Sequence, residues 1–186
     1  IDKPQAIPEA IRLLSASRTI GFDTETRPSF VRGARPSVAL MQMSTETDCF
    51  LFRLNMIDIP EELQQLLENP GILKVGLSLS DDMTVIRRRK PIEPAGFVEL
   101  QRLCPAYGIR DASLQKIYAI LFGRRISKSQ RLTNWEARTL TAAQQSYAAL
   151  DAWACLRIFN QLMTLPSPTP VQSAPQCLSG QSYTAL

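Results

Sequence analysis

Apolar residues along the chain fall into alternating strand-like and helix-like stretches that mark out a mixed α/β domain. Residues 8–16 (PEAIRLLSA) carry a helical period and lead into a strand-like run, Thr19-Ile20-Gly21-Phe22-Asp23-Thr24-Glu25. Pro28 and Gly33 mark a loop after it. Residues 37–44 (SVALMQMS) and 49–54 (CFLFRL) read as two strands joined through Thr45-Glu46-Thr47-Asp48, which predicts an antiparallel hairpin. Residues 60–69 start on proline with an acidic first turn and predict a helix ending before Pro70-Gly71. A buried strand is expected over 72–79, followed by a helix over 81–89 with Ser80 as its N-cap and Arg87, Arg88, Arg89 and Lys90 at its C-terminal end. The pattern then predicts a strand at 96–100 and helices at 100–107, 113–122 and 141–165. From Pro166 the composition turns to Pro, Ser, Thr and Gln, so a domain over 1–165 and a flexible C-terminal tail over 166–186 are expected.

Composition narrows the chemistry. The 186 residues contain no histidine, which removes Ser-His-Asp and Cys-His catalysis and any His-ligated zinc site. A general base must then be a carboxylate, Lys, Tyr or metal-bound water. Cys49, Cys104, Cys155 and Cys177 show no CxxC spacing and read as reduced, mostly buried thiols. A net charge of +4 tilts the chain toward polyanionic partners. The lack of a long uncharged apolar run or a secretory-type leader makes the cytosol, or the nucleus of a eukaryote, the expected location, with no membrane partner. The chain opens on Ile1 rather than Met, which leaves a trimmed or longer parent protein open.

Against this background, acidic residues on apolar elements stand out. Asp23 and Glu25 are two apart on the first strand, so both carboxylates share one face, where they repel each other unless a cation lies between them. A solvated strand end is the structural alternative. Asp82 shares a helix face with Val85 and Ile86 and points coreward, whereas Asp81 suits the first turn of a helix, and N-terminal capping is the alternative for both. Tyr147 and Asp151 are at i and i+4, in line with Ala154, Ile158 and Leu162, so Asp151 sits on a core-facing stripe and needs a partner. Taken alone, Asp151 suits a buried ion pair with an arginine such as Arg12 or Arg138.

These acids occur in an ordered set of three motifs: Phe22-Asp23-Thr24-Glu25, Lys74-Val75-Gly76 followed by Asp82, and Tyr147-Ala148-Ala149-Leu150-Asp151. Ala39-Leu40-Met41-Gln42-Met43 and Asn134-Trp135 with Leu140 and Gln144 support the match. The chain thereby resembles the DEDDy-type 3'-5' exonuclease domains of the DnaQ-like, ribonuclease H-like superfamily, in the branch of ribonuclease D and the Werner-syndrome exonuclease. The sister subclass has a His where Tyr147 stands.

The resemblance implies an α/β, ribonuclease H-like fold, a five-stranded mixed sheet of three antiparallel and two parallel strands flanked by helices. It implies catalysis by two divalent cations, Mg or Mn, about 3.5–4 Å apart and held by Asp23, Glu25, Asp82 and Asp151, with Tyr147 orienting the attacking water. The expected partner is nucleic acid with single-stranded or recessed 3' ends. Gly76-Leu77 and Val98-Glu99-Leu100 depart from the ribonuclease D pattern and favour DNA over RNA. Ribonuclease D-like RNA trimming and a catalytically silent binding module are the alternatives. Arg32, Arg35, Arg124, Arg125, Lys128 and Arg131 are candidates for phosphate contacts, with ordinary surface charge as the alternative. Trp135 and Trp153 are expected to pack rather than to stack on bases.

Overall fold

The computed structural model describes residues 1–28 and 37–166. The loop glycine Gly33, Arg32, Arg35, Cys177 and all but the first residue of the expected tail lie outside the described residues. A short 3-10 turn at Pro4–Ala6 precedes helix α1 (Ile7–Ser15), which feeds strand β1 (Thr19–Thr26). The expected hairpin follows as β2 (Val38–Ser44) and β3 (Cys49–Phe52). Next come helices α2 (Leu54–Ile57) and α3 (Glu61–Glu68), strand β4 (Leu73–Gly76), helix α4 (Leu79–Arg89) and strand β5 (Phe97–Glu99). The last part is helical: α5 (Leu100–Leu103) with a 3-10 turn at Cys104–Tyr107, then α6 (Leu114–Phe122) and α7 (Ala142–Thr164).

The strands form one five-stranded sheet in the order β3-β2-β1-β4-β5. β1 pairs antiparallel with β2 and β2 with β3, while β1–β4 and β4–β5 are parallel. This is the expected mixed, ribonuclease H-like sheet. Its alternation divides the core in two. Ile20 and Phe22 of β1 and Met41 and Met43 of β2 face α1, α3 and α4, joined by Leu14, Leu63, Leu67, Met83 and Ile86. Phe22 meets Phe97 edge-to-face there, with ring centroids 5.1 Å apart. On the opposite face α7 crosses β1 to β4, and its Ala154, Cys155, Ile158 and Leu162 pack with Val75, Val98 and α6.

α7 comes close to the sheet over Gly21 of β1. A Cβ at Gly21 would overlap the Ala152 carbonyl oxygen. The helix begins at a capping box, in which the Thr141 hydroxyl accepts from Gln144 N (3.2 Å) and the Gln144 side chain accepts from Thr141 N (2.9 Å). Lys74, fully buried on β4, donates to the carbonyls of Leu66 (3.2 Å) and Asn69 (2.7 Å) at the end of α3. The Lys74 of the second motif thus satisfies helix-terminal acceptors.

Three expectations fail in detail. Strand β4 stops at Gly76, and α4 starts at Leu79 without Ser80 as its cap. The free N–H groups of Ser78 (3.0 Å) and Leu79 (2.7 Å) donate instead to the Glu99 carboxylate, reaching across from the end of β5. A negative charge at a helix N-terminus does this better than a hydroxyl. The third strand is also shorter than expected, because the chain turns at Arg53 into α2.

Candidate active site

β1 extends beyond its parallel partner: its pairing with β4 ends at Gly21–Val75, while the strand continues to Thr26. The overhang carries Asp23 and Glu25 on the face toward α7, where their carboxylates meet that of Asp151. One oxygen from each of the three lies within 4.8 Å of the others. The stripe read from the sequence is buried along its length, from Tyr147 and Asp151 through Ala154 and Ile158 to Leu162.

Asp82 does not join this trio. It sits in the first turn of α4 and accepts a hydrogen bond from the Thr24 hydroxyl, on the residue between Asp23 and Glu25. It is still close enough that its charge is the largest electrostatic influence on Asp23 after burial. Asp81, its neighbour, is exposed. The structure therefore brings together three of the four expected acids, with the fourth tethered beside them.

The electrostatics are those of crowded, desolvated carboxylates. Burial raises the Asp23 pKa well above the ordinary range, reinforced by the charges of Asp82, Asp151 and Glu25. Burial and the neighbouring acids push Glu25 to about 8. Burial also lifts Asp82 to about 6, against the bond from Thr24. Asp151 rises to about 6 through burial, opposed by the Tyr147 hydroxyl and the charge of Lys128. Its Oδ1 is buried with no hydrogen-bond partner among the described residues. The ion pair considered for Asp151 is not formed with Arg12, which binds Glu9 instead (2.6 Å), nor with Arg138, which is exposed.

Tyr147 packs its ring against Trp135 at 6.1 Å and feels the charges of Asp151, Glu25 and Asp23. Burial and those charges raise the phenol pKa, so the group remains a proton donor at neutral pH. Trp135 is fully buried, and Trp153 donates to the Glu46 carbonyl at 3.2 Å, so both pack as expected. Lys128 and Arg131 are exposed on the segment between α6 and α7, and their charges reach Asp151 and Glu25 respectively. Arg124 and Arg125 are exposed on the same segment.

Sequence reading missed Thr24 and Glu99. Thr24 joins the two acid-bearing elements, and Glu99 fixes the start of α4. A threonine inside D-T-E is the only local hint of the first, and nothing near Glu99 announces the second.

The donor set fits a hard divalent cation: clustered carboxylate oxygens, mutual repulsion and an unpartnered buried oxygen on Asp151. A ribonuclease H-like sheet that gathers acids at the overhang of its central strand is the framework of a nuclease. The chain belongs to the 3'-5' exonuclease family, which it matches over residues 1–165. It is 35% identical over 149 residues to the Drosophila melanogaster exonuclease 3'-5' domain-containing protein 2, covering 78% of this chain and 25% of that protein. It is 33% identical over 158 residues to the Mus musculus bifunctional 3'-5' exonuclease/ATP-dependent helicase WRN, covering 82% of this chain and 11% of that protein. Among solved structures, the exoribonuclease RNase D of Escherichia coli superposes with a TM-score of 0.78 at 26% identity, over 88% of this chain and 44% of the other. The chain thus spans less than half the length of each.

Proposed function

We propose that this domain hydrolyses phosphodiester bonds stepwise from the 3' end of nucleic acid, DNA in preference to RNA, with two divalent cations, Mg or Mn, held by Asp23, Glu25, Asp82 and Asp151. The observation that carries the reading is the meeting of the Asp23, Glu25 and Asp151 carboxylates within 4.8 Å, with Asp82 tied alongside through Thr24. Bound cations would supply charge stabilisation and a water acidified toward neutral pH.

The chain's own residues account for the rest of the reaction. Asp23 and Glu25 come from the rigid central strand and Asp151 from a helix pressed onto it, so their spacing is set before any ligand arrives. Tyr147, held protonated with its hydroxyl on Asp151, orients the attacking water through its phenol oxygen rather than taking its proton. Lys128 and Arg131 contact the phosphate backbone and bring charge without reading base sequence. Tyr147 packs on buried Trp135, which gives the orienting hydroxyl a fixed mount.

DNA preference is supported by Gly76-Leu77 and Val98-Glu99-Leu100, which depart from the ribonuclease D pattern. The 26% identity to an exoribonuclease supports RNA trimming as the second reading. The two differ in whether the cleft accepts a 2'-hydroxyl. Digestion of 5'-labelled single-stranded DNA, recessed duplex and matched RNA with Mg²⁺ or Mn²⁺ tests this. Faster shortening of the DNAs is the expected result, and faster loss of RNA would transfer the assignment to RNA trimming.

A further inference from the structure

Gln42 is fully buried on β2, yet neither its amide nitrogen nor its amide oxygen has a hydrogen-bond partner among the described residues. A buried amide is costly unless satisfied. The register shows what surrounds it. Gln42 pairs directly with Asp23 across the β1–β2 ladder, so the two side chains leave the same face of the sheet. Leu51 is its partner on β3, and Leu40 and Ser44 flank it along β2 on that face. Of these four neighbours two are polar, Asp23 and Ser44. The Ser44 hydroxyl is likewise buried without a partner. α7 closes the face from above so tightly that the Ala152 carbonyl occupies the space over Gly21, the residue opposite Ser44.

We propose that Gln42 is a positioning residue for Asp23. With a cation on Asp23, the Gln42 amide N–H would turn to donate to the Asp23 carboxylate and its amide oxygen to accept from the Ser44 hydroxyl, which satisfies the three atoms left unpartnered here. The inference rests on the metal reading under Proposed function. A carboxylate that ligates through one oxygen needs its remaining lone pairs satisfied, and a donor doing so fixes the ligand's orientation and strengthens metal binding. A purely structural role would be served as well by an apolar side chain of the same size, because the surroundings of Gln42 are the packed interior between β2 and α7.

The two readings part on metal binding when the amide is replaced, in Gln42→Met, by a side chain of similar length and no polar amide: a structural role leaves Mn²⁺ affinity unchanged, and the positioning role weakens it. Mn²⁺ affinity is measured by calorimetry without nucleic acid, the melting temperature in EDTA, and kcat and KM on single-stranded DNA. The expected result is a melting temperature no lower than wild type, Mn²⁺ affinity weaker by about 10–100-fold, and a fall in kcat with KM nearly unchanged. Gln42→Asn keeps the polarity but shortens the reach, and its Mn²⁺ affinity is expected to fall in the same direction, which keeps the test open should the methionine variant not fold. Wild-type Mn²⁺ binding with unchanged affinity in the folded variants would overturn the inference alone. A wild-type chain that binds no Mn²⁺ would overturn the metal reading and the inference together.

Discussion

The Thr24 hydroxyl donates to the Asp82 carboxylate, tying the acid of α4 to the strand that carries Asp23 and Glu25. Without that bond nothing among the described hydrogen bonds holds the Asp82 side chain against β1. Thr24→Val keeps the side-chain shape and removes the donor. It is expected to leave the fold intact and to lower metal-dependent turnover about tenfold, as loss of a ligand's supporting bond does. Steady-state rates across a Mn²⁺ titration check this. Unchanged rates at limiting Mn²⁺ would show that Asp82 needs no tether.

Tyr147 stands one helical turn before Asp151, with its hydroxyl among the acids. Tyr147→Phe removes the hydroxyl and retains the ring packed on Trp135. Turnover is expected to fall about 10–100-fold through misplacement of the attacking water, with Mn²⁺ affinity nearly unchanged. Equal loss of both would make Tyr147 part of the metal site.

Stability should depend on pH in an unusual direction. Glu25 at about 8 and Asp82 and Asp151 at about 6 lie above the ordinary range of about 4. The folded chain therefore binds more protons than the unfolded chain over that window, so metal-free stability falls as pH rises from about 4 toward 8. Asp58, held low by Arg89, acts in the other direction, but only on acidification below its ordinary pKa. The chain has no histidine to titrate in between, and the Ile1 amine, lowered by burial, opposes the trend only just below its ordinary pKa of 8. Melting temperatures in EDTA are expected to fall from pH 5 to pH 8, and excess Mg²⁺ or Mn²⁺ to restore them at the upper end. A flat or rising profile in EDTA would contradict the crowding of the acids.

Gly21 sets the distance between β1 and α7, and hence between Asp23 and Asp151. Gly21→Ala forces a Cβ into the Ala152 carbonyl. Overpacking of this kind costs about 1–3 kcal/mol, which urea unfolding would register, along with loss of activity as α7 lifts from the strand. Wild-type stability would mean that α7 adjusts freely.

Much of this arrangement is legible in the sequence because it is local. Period-two spacing places Asp23 and Glu25 on one face of β1, and the i, i+4 stripe from Tyr147 to Leu162 predicts the buried side of α7. The five strands appear where apolar alternation places them, give or take their ends. What sequence reading misses depends on approach between distant segments. Glu99 reaches from β5 to cap α4, displacing Ser80 from the role its position suits. Thr24 meets Asp82 from 58 positions away. Gln42 belongs to a supporting motif in the sequence, but its full burial opposite Asp23 shows only once β2 pairs with β1 and α7 closes over them.

The central claim is that Asp23, Glu25, Asp82 and Asp151 form a metal-dependent 3'-5' exonuclease site, and digestion of 5'-labelled single-stranded DNA by wild type and Asp23→Ala tests it most directly. Wild type is expected to give a ladder shortening from the 3' end with Mg²⁺ or Mn²⁺ and no products in EDTA. Asp23→Ala is expected to remain folded and give none under either condition, because removing one of several repelling acids leaves the core intact. A ladder from Asp23→Ala comparable to wild type, or one that persists in EDTA, would contradict the account.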